Sequence, residues 1–232
     1  MDQRTLSCLG AVKKGRSCSS AYMSFTDYTT VVIDRSGSMS NMGEATRTGV
    51  NEFIKDRKNF ERKNSNHNSI VSVTTFDTLV EKPIPPTLVE NIPEVTYNMI
   101  QPRGATALVD AIWSSIEDME KCSPDGDSNS TRTIVVMTDG FDNSSKITKG
   151  VLNTKMQEKM ALSNPYNFIF LAANQDAITT AQNFGISPEN ALSYGATPQH
   201  CLSAMKSASC STQRMQSGDH SGFTQLERQQ SI

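Results

Sequence analysis

Through the middle of the chain, short apolar runs alternate with longer stretches in which apolar positions recur every three or four residues, the pattern of strands alternating with helices. Residues 29–33 (TTVVI) are β-branched throughout, as a strand covered on both faces requires. From about 42 to 60, Ala45, Gly49, Val50, Phe53, Ile54 and Phe60 fall at helical spacing with charges between them, which predicts an amphipathic helix. Residues 70–76 predict the second strand. Residues 78–83 read as a short returning strand, and Pro83, Pro85 and Pro86 suit a sheet edge, where a missing N–H does no harm. Leu108, Ile112, Ser115, Ile116 and Met119 mark a second helix, 133–137 (TIVVM) a further buried strand, 148–162 a third helix and 168–172 (FIFLA) the next strand. A helix near 175–183, a short strand near 191–194 and a helix near 198–208 complete the pattern.

This order predicts an α/β fold. It is doubly wound and Rossmann-like, a mostly parallel six-stranded sheet with one antiparallel edge strand and helices on both faces. The ends read differently. Residues 1–27 are rich in serine and small residues and are expected to form a flexible N-terminal extension, and 210–232 are polar and nearly patternless, the expectation being a flexible C-terminal tail. The folded domain is then 28–209, and a hydrophobic share of 36% over 232 residues agrees with part of the length lying outside a core.

Charge narrows the partners. Lys plus Arg (22) nearly balances Asp plus Glu (24), so no global field gathers nucleic acid or an anionic membrane, and any partner must be recognised locally. No apolar run reaches the roughly 18 residues of a membrane span. Lys13, Lys14 and Arg16 stand near the start without the apolar core of a secretion signal. Cys8, Cys18, Cys122, Cys201 and Cys210 form no CxxC pair, which favours a reducing compartment and a cytoplasmic location. The sequons at Asn129 and Asn143 matter only if that expectation fails.

Three loops carry unusual chemistry: DRSGSMS at 34–40, RGATAL at 103–108 and TDGFDN at 138–143. If the strand order is 3-2-1-4-5-6, the first and fourth strands are neighbours where the winding reverses, and Asp34 and Asp139 face one crevice there. A hard cation such as Mg²⁺ takes six oxygens at about 2.0–2.1 Å, several of them from water. Ser36 and Ser38 offer hydroxyls two residues apart with Gly37 allowing the bend between them, Thr106 offers a third, and Asp34 and Asp139 can bind directly or orient coordinated water. Any one of these has an ordinary reading as a turn or helix cap. Only the combination points to a metal.

Asp34-x-Ser36-x-Ser38, Thr106 within Gly-Ala-Thr-Ala-Leu and Asp139 within Thr-Asp-Gly resemble, position for position, the metal-ion-dependent adhesion site of von Willebrand factor A-type domains, including those of integrins, over about 28–205. The resemblance implies that Ser36, Ser38 and Thr106 ligate Mg²⁺, with Mn²⁺ or Ca²⁺ as alternatives. It implies that Asp34 and Asp139 act mostly through water, and that a Glu or Asp of a protein partner completes the octahedron. The lack of a secretion signal, flanking disulfide or membrane anchor is more similar to intracellular adaptor members than to matrix adhesins.

The rival class is a Mg²⁺-dependent phosphohydrolase of haloacid-dehalogenase-like type, which also keeps an aspartate at the end of a first parallel strand. Such enzymes need a second acid two residues later, where this chain has Ser36, and no GxxxxGK[ST] loop is present. The expectation is a binding module and not an enzyme. Asp125, Asp127 and Asn129 imitate the start of a calcium loop, but Ser130 and Val136 occupy its glycine and glutamate positions.

Overall fold

Residues 24–123, 125, 127–173 and 177–232 are described by the computed structural model. The continuous β-branched run falls in β1 (Phe25–Asp34), whose last six residues are all buried. β1 lies between β2 (His67–Phe76) and β4 (Ser130–Thr138), parallel to both. With β3 (Val80–Leu88), β5 (Tyr166–Ala173) and β6 (Ala191–Tyr194) they form one sheet in the order β3-β2-β1-β4-β5-β6, in which β3 alone is antiparallel to its neighbour. This is the expected six-stranded, doubly wound sheet.

Alternation along each strand builds two cores. Val31 and Ile33 of β1, with Val135 and Met137 of β4, face α1 (Gly43–Lys63), the short α2 (Tyr97–Ile100) and α6 (Pro198–Gln216). Val32, Ile134 and Val136 point the other way, onto α3 (Leu108–Cys122), α4 (Lys149–Met160) and α5 (Ala177–Asn183). On the first face α1 and α6 pack closely enough that a Cβ on Gly49 would lie 2.9 Å from Met205.

Several boundaries move from the sequence reading, and three of the changes bear on the sheet and on the extent of the domain. β1 begins at Phe25, because 25–28 pair with β2 and with Asn129–Arg132, and buried Asp27 ties the two neighbours together through His67 (2.8 Å) and the Thr131 hydroxyl (2.6 Å). The rest of the expected N-terminal extension, 1–23, lies outside the described residues. β3 starts later than expected and runs through all three prolines, since Asp77 holds a tight turn: its N–H reaches Leu79 O (3.0 Å) and its carboxylate accepts Leu79 N–H (2.8 Å).

The third change is a correction. Residues 210–232, read as a patternless tail, carry the last part of α6 and all of α7 (Gln225–Gln230). Ser209, Ser211, Thr212 and Met215 are buried against the domain, so their polarity hid a packed helix face. Arg57 of α1, fully buried between Phe53 and Phe60, donates to Ser209 O (3.0 Å) and Gln216 Oε1 (2.5 Å). A Thr224–Glu227 capping box starts α7, Arg228 donates to Ala191 O of β6 (2.7 Å), and Gly195 N–H reaches Ser231 O (2.8 Å).

Candidate metal centre

Asp34 closes β1 and Asp139 directly follows β4, and with Ile33 paired to Met137 the two acids stand at the carboxyl ends of adjacent strands, where the winding reverses. The Asp34 carboxylate accepts Ser36 N–H at 2.7 Å on one oxygen and the Thr138 hydroxyl at 2.6 Å on the other. Ser36 then enters a 3₁₀ turn, Gly37–Asn41. That turn sets the Ser36 and Ser38 hydroxyls 3.0 Å apart, and Ser38 Oγ donates to Asp139 Oδ1 at 2.6 Å. Thr106 arrives from the third loop: a Cβ on Gly140 would lie 3.5 Å from Thr106 Oγ1 and 4.0 Å from Ser38 Oγ. A Cβ at 140 would thus stand in ordinary contact with both Thr106 and Ser38, which places the two hydroxyls on one side of the crevice. All five residues singled out in the sequence therefore meet in one crevice, which opens to solvent beside exposed Ser38.

The loops are locked to one another by their backbones. Gly37 N–H reaches Gly104 O (3.2 Å), Arg103 N–H reaches Arg35 O (2.7 Å) and Ala107 N–H reaches Asp77 O (2.7 Å). Gly104 sits at φ 68°, and a Cβ there would be 2.7 Å from Thr78 Oγ1, so glycine is needed on both counts. Thr106 is held at both ends by one residue: its N–H donates to Asn143 Oδ1 (2.8 Å) and its carbonyl accepts Asn143 N–H (3.0 Å). Behind the loops, Arg35 and Arg103 pair with Asp77 and Glu81. Thr138, Asn143 and Asp77 are the residues that sequence reasoning missed. Thr138 and Asn143 stood at the two ends of the TDGFDN loop without being given a role there, and Asp77 stood in no motif.

Asp34 is 1% exposed and Asp139 partly buried, and among the described residues neither forms an ion pair with a basic side chain. Burial pushes the Asp34 carboxyl up to about 6, against the hydrogen bonds from Thr138 and Ser36, and the Asp139 charge adds to the rise. Burial likewise raises the Asp139 carboxyl, against the hydrogen bond from Ser38. Two desolvated acids beside three hydroxyls form an all-oxygen donor set with a charge deficit, which fits a hard divalent cation. No cluster of three or more His, Cys, Asp or Glu exists among the described residues that could form a different metal site.

The fold, a doubly wound α/β sheet with the crevice at its winding reversal, sets the class to which this chain is compared. Residues 29–141, a stretch that contains all five crevice residues, match the family profile of the von Willebrand factor type A domain, and the fold is that of this family. Similar solved structures include a von Willebrand factor type A protein from Catenulispora acidiphila, with TM-score 0.59 and 12% identity over 81% of this chain and 43% of that one. PilB minor pilin from Streptococcus sanguinis matches with TM-score 0.56 and 12% identity over 84% and 62% of the two chains. Proximal thread matrix protein 1 from the mussel byssus, in a form with a zinc occupied adhesion-site motif, matches with TM-score 0.53 and 11% identity over 81% and 46%. The chain thus spans less than half of the Catenulispora and mussel proteins, and at these identities the likeness is one of fold. No curated protein matches it in sequence. Among the described residues no helix is long and apolar enough to cross a membrane.

Proposed function

We propose that this chain is a divalent-cation-dependent protein-binding module, in which Asp34, Ser36, Ser38, Thr106 and Asp139 hold one Mg²⁺ ion, or Mn²⁺ or Ca²⁺, for a Glu or Asp carboxylate of a protein partner. The observation that carries this reading is the convergence on one solvent-open crevice of three hydroxyls and two carboxylates, with no ion pair to either acid among the described residues. Ser36, Ser38 and Thr106 would ligate through oxygen, with Asp34 and Asp139 binding directly or orienting water. A cation held mainly by neutral oxygens supplies positive charge to an incoming anionic side chain. Von Willebrand A domains generally mediate protein–protein interaction, and the zinc in the mussel protein supports cation occupancy at an equivalent motif. The phosphohydrolase alternative finds less support, because position 36 offers a serine where a general acid is required.

Mn²⁺ binding, followed by electron paramagnetic resonance with Mg²⁺ as competitor, tests the reading. Wild type should bind one ion, Thr106→Ala about tenfold more weakly because one oxygen is gone, and Asp34→Ala weaker still because it loses charge as well. Absence of wild-type binding at millimolar metal, or Asp34→Ala binding like wild type, would refute it. Affinity capture from native extract with and without EDTA then identifies the partners that depend on the ion.

A further inference from the structure

Two guanidinium groups sit on the very loops that carry the crevice oxygens. Arg35 stands between Asp34 and Ser36, and Arg103 lies three residues before Thr106. An arginine paired with Asp34 or Asp139 would satisfy the crevice from within, since a planar fork of donors suits a carboxylate well. Both arginines turn elsewhere. Arg35 Nε lies 2.9 Å from Asp77 Oδ2 and its Nη2 lies 2.7 Å from Glu81, while its Nη1 donates to Met99 O at 3.3 Å. Arg103 Nε lies 2.7 Å from the same Asp77 oxygen, and its other end also meets Glu81. Arg35 and Asp77 are each 3% exposed, while Glu81 (46%) and Arg103 (54%) face solvent.

The four charges cancel. Two acids neutralise the two cations on these loops, and among the described residues the two acids of the crevice are left without a basic partner. We infer that Asp77, assisted by Glu81, sequesters Arg35 and Arg103 and thereby sets the crevice's affinity for a divalent cation without touching the ion. The inference rests on the cation-binding reading above and deepens it. Asp77 is a positioning residue, and its effect is electrostatic as well as geometric. Without the Asp77 charge, the buried guanidinium of Arg35, the residue between Asp34 and Ser36, is left with less negative charge to balance it. It then opposes a divalent ion, by about tenfold or more in affinity at an effective dielectric near 20.

The test uses the full chain and the same Mn²⁺ and Mg²⁺ titration. Asp77→Asn is nearly isosteric and keeps an oxygen for Leu79 N–H, and it should weaken Mn²⁺ binding about tenfold. Adding Arg35→Met to Asp77→Asn should restore affinity to within about threefold of wild type, because the stranded charge is gone. Arg35→Met alone should bind as tightly as wild type or more tightly, whereas loss of a purely structural brace would weaken binding. If Asp77→Asn does not fold, Glu81→Gln, half exposed, serves in its place. It should weaken binding several-fold and be rescued by Arg103→Met, with circular dichroism confirming the fold of each variant. Wild-type affinity in Asp77→Asn, or a loss that Arg35→Met does not restore, overturns the inference while leaving the cation site intact. No binding by wild type overturns both.

Discussion

At the scale of single residues, the crevice is expensive in the absence of a cation, and Asp34 is where the cost is concentrated. The unfolded chain releases the Asp34 proton near its ordinary 3.8, whereas the folded chain holds it to about 6. Between those values the native state binds the extra proton, so rising pH weakens folding. The loss begins near 4 and is complete above about 6, and its size is on the order of 2–3 kcal/mol at 1.36 kcal/mol per unit. Asp34→Asn keeps the shape and removes the charge, and the Thr138 hydroxyl can still donate to Gly140 O, 3.1 Å away. In EDTA at pH 7.5 this variant should therefore unfold at higher urea than wild type, with the gap closing by pH 4. Saturating Mg²⁺ should narrow the gap at pH 7.5, because it binds the wild type preferentially. Equal urea midpoints in EDTA at pH 7.5 would show that the carboxylate is not desolvated.

The five crevice residues were legible in the sequence because their chemistry is rare in that spacing. Thr138 and Asn143 were not, for a physical reason. Their contribution lies in the partner each hydrogen bond finds across 37 to 104 positions of chain, and a threonine or an asparagine advertises no partner on its own.

At the scale of elements, buried strands were readable because continuous β-branched runs such as that in β1 have few other uses. The far end of α6 was not, because its buried face is built from Ser209, Ser211 and Thr212. Small hydroxyl side chains can be buried in a helix when they bond back to the preceding turn, as Thr212 does to Ala208 O at 2.8 Å. They leave no apolar stripe to detect. Deleting residues 218–232 should accordingly cost stability. It removes Phe223, 6% exposed, and the Arg228 and Ser231 contacts to β6 and Gly195, a loss on the order of 3–5 kcal/mol from apolar burial and hydrogen bonds together. A urea midpoint unchanged by the deletion would restore the reading of a dispensable tail.

At the scale of the whole molecule, the proposed function couples two binding events through one ion. A first shell rich in neutral oxygens should hold Mg²⁺ modestly alone, and a partner carboxylate should strengthen that hold. Linkage then demands that Mg²⁺ strengthen the partner's binding by the same factor. Calorimetry of each ligand in the presence and absence of the other, with a partner recovered by EDTA-sensitive capture, should return equal factors. Partner affinity indifferent to EDTA would show that the ion is not the point of contact.

The two described margins of the sheet bear on what such a partner can look like. On one side β3 carries Pro83, Pro85 and Pro86, three positions with no N–H to offer. On the other, β6 is four residues long, and Arg228 already occupies the Ala191 carbonyl. A peptide cannot easily extend this sheet by lying alongside it in the manner of strand-addition receptors, and neighbouring copies of the chain are equally discouraged from stitching together through their margins. Under the proposed function, recognition would then fall to side-chain chemistry at one end of the strands, and a partner would need no particular backbone conformation, only a carboxylate presented on a surface that fits the mouth of the crevice.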